Sequence, residues 1–253
     1  MAATLATFGV LIWRDCRRQG AVTLSAALFV GWLLCFWQDP LLNYRHLMVI
    51  TSRHDLNVTS WGPYLPGWHP PHPELASEAL VGASMFAYAA MIIWYWVPMW
   101  LTKPVLRRRP RWGLLRLLPV VLLAGAVADA VCEGLWLRTG VYMYPTDAAS
   151  LSLFGGHWYQ LYIPQITNIA MFISAPPVLM HLYAQRHATT VHIFRGTEQA
   201  GPRTAGWARL LAGVGFTNFF LLIAAFVGVG IGYLFGTGPI PPDTPSHLWP
   251  LPH

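Results

Sequence analysis

Four stretches of this chain, residues 77–101, 114–137, 159–184 and 208–235, each run the width of a bilayer almost without charge. Glu78, Arg116, Asp129, Glu133 and Arg209 are the only Asp, Glu, Lys or Arg side chains in them. About 20 consecutive apolar residues cross a hydrocarbon core as a helix. Backbone polar groups cannot be left open to lipid, so helix is the conformation available to such isolated segments. Residues 21–37 form a shorter candidate, and the apolar opening, 1–13, is too short to cross alone. The expectation is an all-α integral membrane bundle of about six helices, near 1–13, 21–37, 77–101, 114–137, 159–184 and 208–235, in one membrane domain covering 1–253. Composition agrees: 55% of residues are hydrophobic and 10% charged, against about 25% charged in soluble domains. Thirteen Trp, ten Tyr and twelve Phe suit aromatic belts at two interfaces.

The positive charges are unevenly placed. Arg14, Arg17 and Arg18 follow the first segment. Lys103, Arg107, Arg108, Arg109, Arg111 and Arg116 surround the connection after the third, and Arg186, Arg195, Arg203 and Arg209 flank the one after the fifth. Only Arg45, Arg53 and Arg138 lie elsewhere. Lys and Arg collect on the cytoplasmic side, so loops 14–20, 102–113 and 185–207 are expected inside a membrane, a bacterial cytoplasmic membrane by this reading. Loop 39–76, loop 138–158 and the tail after 236 are expected outside. This distribution accounts for the net charge of +6 without nucleic acid. The basic residues follow the first apolar run instead of preceding it, unlike a secretory signal. Loop 39–76 carries Pro63, Pro66, Pro70, Pro71 and Pro73, which block helix and central strand alike. Its Trp and Tyr content suggests an ordered lid.

The sharpest chemical feature is Asp129 and Glu133. Four residues apart, they project from one helix face, in the outer half of the membrane on this topology. An acid at that depth is costly and functional by default. Two neighbouring carboxyls cannot both ionise cheaply, so one is expected to hold a proton at neutral pH. A protonated acid beside an ionised one is an acid/base pair. Gln38 and Asp39, Glu78, Tyr142 and Tyr144, and His157, Tyr159, Gln160, Tyr162, Gln165 and Asn168 fall at a similar depth and are candidates to line the same cavity, with Trp61 and Trp68 from the long loop. Each alone has a plain reading: interfacial tyrosine is commonly a belt residue, Asp39 before Pro40 caps a turn, and Asn168 bridges helices.

Metal chemistry is not expected. His69 and His72 fall on one side of this topology and His187 and His192 on the other, so one site cannot use both pairs. Cys16, Cys35 and Cys132 lack metal-ligand spacing and read as packing residues. No Walker loop, dinucleotide fingerprint or nucleophile elbow occurs, which leaves a cofactor-independent chemistry.

Gln38-Asp39-Pro40 with Asn43-Tyr44, Ser60-Trp61 with Pro66-Gly67-Trp68, and Glu133-Gly134 with Gly140-Val141-Tyr142-Met143-Tyr144-Pro145 together resemble the spirocyclase AveC-like family of actinobacterial membrane proteins, over residues 38–183. The resemblance implies a helical membrane protein that closes, and can also dehydrate, a spiroketal. It implies no catalytic residue. On the physical reading, Glu133 is the expected proton donor, and ionised Asp129 or Asp39 stabilises an oxocarbenium ion and accepts the second hydroxyl's proton. The expected partner is a lipophilic small molecule, a dihydroxyketone polyketide. A membrane terpene cyclase, or a non-catalytic lipid carrier or accessory subunit, are the alternatives.

Overall fold

A computed structural model describes residues 2–83, 85–145, 149–235 and 238–249. Met1, Ser84 within the third predicted segment, residues 146–148 of the second outer loop, and residues 236–237 and 250–253 of the tail lie outside the described residues. The chain is a helical bundle with a small capping layer at one end. The helices are α1 (Ala2–Gln19), α2 (Leu24–Leu33), α3 (Met85–Ala90), α4 (Ile93–Arg108), α5 (Leu114–Leu137), α6 (Ile163–Ile169), α7 (Ala175–Arg186) and α8 (Pro202–Phe235). α3 and α4 run on as Met85–Arg108, and α6 and α7 are joined by a π-helical turn, Ala170–Ser174. Pro176 and Pro177 lack the N–H groups that α-helical pairing needs there, and a π turn absorbs such a break.

Among the described residues, four helices are long and apolar enough to cross a membrane: Met85–Arg108, Leu114–Leu137, Ile163–Arg186 and Pro202–Phe235. Of the six predicted segments, the first two are also helical but fall short of this measure. α2 has ten residues, about 15 Å of helix, roughly half a hydrocarbon core. It is buried on most sides, as a helix apolar all round should be. It starts where Thr23 Oγ1 accepts the Ala26 N–H at 3.3 Å. α2 lies against α8 so closely that a Cβ on Gly213 would meet the Ala27 carbonyl oxygen at 2.5 Å. Small residues permit such approaches between membrane helices.

Several predicted boundaries are corrected. α1 continues past residue 13 to Gln19, so the first basic loop is mostly helix; its Arg and Gln residues are good helix formers. The third segment does not begin as helix at 77. Glu78–Ala79 is instead strand β3, paired antiparallel with β2 (Asn57–Val58), and the bend behind it is pinned when Gly82 N–H donates to Asp55 Oδ2 at 2.6 Å. The fifth segment opens as strand β6 (Leu161–Tyr162), paired with β5 (Ser152–Leu153), and helix starts at Ile163 with Pro164 in its first turn, where a missing N–H costs nothing. α8 starts at Pro202, ahead of the predicted 208.

The third ladder pairs β1 (Ile50–Thr51) with β4 (Tyr142–Met143), so loop 39–76 is an ordered cap with short strands. The cap has its own core of Leu47, Ile50, Ala76, Met143, Leu248 and Trp249. Residues 238–249 strap over it: Arg53 N–H donates to the His247 carbonyl at 3.0 Å, and Asp243 meets His157 at 2.9 Å. At the other end of the bundle, Arg186 donates to the Trp112 carbonyl and Arg209 to Thr197 and Val22. The basic connections after α4 and α7 thus lie at the end remote from the cap. The main core, including Leu28, Trp32, Ile92, Leu117, Ile173 and Leu182, fills the space between.

Candidate active site

Asp129 and Glu133 are both buried on the cap-side half of α5. Asp129 Oδ1 accepts the indole N–H of Trp94 from α4 at 2.6 Å. Glu133 Oε1 accepts two phenol hydrogens, from Tyr142 at 2.9 Å and from Tyr144. The other oxygens, Asp129 Oδ2 and Glu133 Oε2, have no donor among the described residues, and the two carboxyl groups adjoin and influence each other. A carboxylate only accepts, so a hydrogen bond between the two needs one of them protonated.

The local sequence dictates this arrangement. Four-residue spacing puts both acids on one face of α5. The helix ends at Leu137, and Gly140 turns the chain back with φ +73°, a conformation glycine adopts without strain. In the strand that follows, side chains alternate, so Tyr142 and Tyr144 face the same way while Met143 enters the cap core. The pairing of Ile50 with Met143 fixes that register. The two rings meet edge to face at 5.8 Å, and Gln160 Nε2 holds the Tyr144 carbonyl at 3.2 Å. Burial, followed by the adjoining Glu133 carboxyl, raises both phenols well above 10, so both remain donors at any physiological pH.

These groups line one cavity of about 120 Å³. Its polar wall is Asp129, Glu133, Tyr88, Tyr142, Tyr144 and Gln165, and its apolar wall includes Leu42, Met48, Ile169, Ile173 and Leu221. Of the residues expected at the site, the structure therefore brings Asp129, Glu133, Tyr142, Tyr144 and Gln165 together. Gln165 Oε1 accepts from Asn168 Nδ2 at 3.2 Å, and the same amide reaches the Ala224 carbonyl at 2.9 Å. Asn168 thus bridges to α8 behind the cavity.

Asp39 lies off the cavity wall. It is buried behind Tyr88, whose hydroxyl donates to Asp39 Oδ1. Glu78 is buried next to it, accepting from Ser60 Oγ at 2.5 Å. Burial, then the neighbouring Asp39, pushes the Glu78 carboxyl up to about 8. Gln38 Nε2 donates to Asn218 Oδ1 of α8 at 2.9 Å. Trp61 donates to the Trp37 carbonyl at 2.9 Å and Trp68 to the Pro40 carbonyl at 3.0 Å, anchoring the cap. Tyr162 is buried but is not among the residues that line the cavity. His157 stacks on Tyr159 with ring centroids 5.2 Å apart, on the outer side of the cap, with Arg138 over the Tyr159 ring at 4.5 Å.

The sequence reading missed Tyr88, Trp94 and Trp136. Tyr88 and Trp94 sit in a run dense with aromatic residues, where a belt and a site look alike. Among the described residues, no three His, Cys, Asp or Glu side chains converge as metal ligands would.

Searches among curated proteins and among solved structures return no significant match. A family model described as "Spirocyclase AveC-like" matches residues 17–247, which take in α2 to α8, the cap and both acid pairs. This agrees with the resemblance read from the sequence motifs, and the chain belongs to the AveC-like spirocyclase family.

Proposed function

We propose that the protein closes a spiroketal from a lipophilic dihydroxyketone in the cavity between α5 and the cap. The observation that carries this reading is the adjoining carboxyl pair, Asp129 and Glu133, on the wall of an otherwise largely apolar, ring-sized space. A cavity of roughly 150 Å³ holds benzene, so about 120 Å³ suits the reacting ring while the rest of the substrate stays in lipid.

One substrate hydroxyl adds to the ketone and gives a hemiketal. A proton from the pair then goes to the hemiketal hydroxyl as its C–O bond breaks, releasing water and leaving an oxocarbenium ion. The second hydroxyl attacks that carbon, its new C–O bond forms, and its proton returns to the pair. Substrate becomes spiroketal plus water, and the pair ends as it began. Glu133 Oε1 accepts two O–H donors and Asp129 Oδ1 one N–H. Hydrogen bonds to an ionised carboxyl stabilise it, so the charge belongs on Glu133, facing the cation, and the proton on Asp129. This exchanges the roles expected from the sequence. The wall holds the two reacting oxygens in one geometry and so selects one stereoisomer.

Two phenol donors on one carboxyl favour oxygen chemistry over alkene protonation, which demands a stronger acid. The basic end of the bundle is assigned to the cytoplasm on charge, and the substrate enters from the bilayer.

The test is turnover of long-chain dihydroxyketones by the purified full-length protein, with products resolved by chiral chromatography and mass spectrometry. One enantiomer in excess is expected, and Asp129→Asn should lose it. Racemic product at the uncatalysed rate from the native protein would overturn the reading.

A further inference from the structure

A second set of buried groups reaches from the cavity towards water. Tyr88 lines the cavity, and its hydroxyl donates to Asp39. Asp39 adjoins Glu78, and Glu78 accepts from Ser60 Oγ at 2.5 Å. Ser60 in turn lines a separate groove in the cap, with Asn57, Thr59, Trp68, Glu74 and Ser77. Asp39, Glu78 and Ser60 are each buried, and Glu74, which lines the same groove, is exposed. Four oxygen-bearing side chains from four separated parts of the chain therefore make one continuous file of adjoining groups between two cavities.

We infer that Tyr88, Asp39, Glu78 and Ser60 form a proton route that connects the cavity holding Asp129 and Glu133 with water in the cap groove. The carboxyl pair must hold one proton to act, and it sits in a buried, mostly apolar space. The inference rests on reading that pair as the acid of the cavity. In one passage, a water in the groove gives a proton to Ser60 as Ser60 gives its own to Glu78. Tyr88 turns its hydroxyl from Asp39 into the cavity and releases its proton to an oxygen there, while Glu78 passes one to Asp39 and Asp39 one to Tyr88. Each side chain in the file gains one O–H bond and loses one, so the side chains are unchanged and one proton has crossed. Glu78 suits transit because its carboxyl, pushed up to about 8 by burial and by Asp39, changes charge within the physiological range. Tyr88 and Asp39 are positioning and relay groups here, and the bond-making stays with Asp129 and Glu133.

Hydrogen–deuterium exchange at the carboxyl pair reads the route directly. The full-length protein, in liposomes, is moved into D2O while infrared spectra follow the protonated-carboxyl stretch. The band of the pair is identified by its loss in Asp129→Asn and Glu133→Gln. With the route intact, its deuterium shift should be fast. In Glu78→Gln and Ser60→Ala it should slow at least tenfold, with Ser60→Thr restoring most of the rate because the hydroxyl is kept. Exchange at the native rate in folded Glu78→Gln and Ser60→Ala would overturn the route. Slowed exchange in a protein that cyclises no dihydroxyketone would leave the route standing and remove the cyclase reading. Unslowed exchange beside normal cyclisation would do the reverse.

Discussion

Trp94 on α4 donates its indole N–H to Asp129 Oδ1 on α5 across 2.6 Å, so the acid that faces the cavity is aimed by a neighbouring helix. Leaving a buried acceptor unpaired costs about 1–3 kcal/mol. Trp94→Phe keeps most of the packing and removes the donor. It should lower stability by about that amount in a thermal melt of the detergent-solubilised protein, and it should reduce cyclisation more than a packing change at nearby Met91 does.

Tyr142 and Tyr144 share one oxygen of Glu133, so each backs up the other. A hydrogen bond to a charged group is worth about 1.5–3 kcal/mol, and about 1.4 kcal/mol is tenfold in rate. Tyr142→Phe or Tyr144→Phe alone should cost about tenfold in turnover, and the double variant at least a hundredfold. A double variant no slower than either single would mean that the phenols do not support the ionised carboxyl.

Glu78 gives stability a pH dependence of known sign. Its carboxyl is raised in the folded protein from 4.5 to about 8, so over that range the folded state binds the extra proton. Its contribution is fully present below about pH 4.5 and is lost as pH rises towards 8. The melting temperature should fall across that window, and the fall should be smaller in Glu78→Gln, compared by melts from pH 5 to 8.5.

α2 and α8 meet where a Cβ on Gly213 would lie 2.5 Å from the Ala27 carbonyl oxygen. Backbone on that side cannot swing away as a side-chain tip can. Gly213→Ala should destabilise by about 1–3 kcal/mol, the usual cost of overpacking, whereas Gly215→Ala, with open space around it, should be close to neutral. Denaturation of the two variants side by side gives the comparison.

Sidedness is testable at exposed positions of the two ends. Tyr64 lies in the cap and is 90% exposed, and Arg195 lies exposed in the connection after α7. With Cys16, Cys35 and Cys132 replaced, Tyr64→Cys should react with an impermeant maleimide added to intact cells. Arg195→Cys should react only after the cells are opened. The opposite pattern would invert the orientation.

The sequence by itself determined the helical membrane class, the placing of basic residues at one end, and the one-face pairing of Asp129 with Glu133. These follow from local rules: apolar length against bilayer thickness, and the 3.6-residue period that superposes positions four apart. It also set Tyr142 and Tyr144 at the depth of the acid pair, and both line the same cavity. The tertiary structure decided the rest. Whether residues 78–79 and 161–162 join helices or pair as strands depends on partners distant in the chain, Asn57–Val58 and Ser152–Leu153. Likewise only packing sets Tyr88 between the cavity and Asp39, puts Trp94 on Asp129, and holds Asp39, Trp61 and Trp68 back from the cavity wall. Those contacts join residues tens of positions apart, and no local period in a sequence encodes which distant side chain a buried polar group will meet.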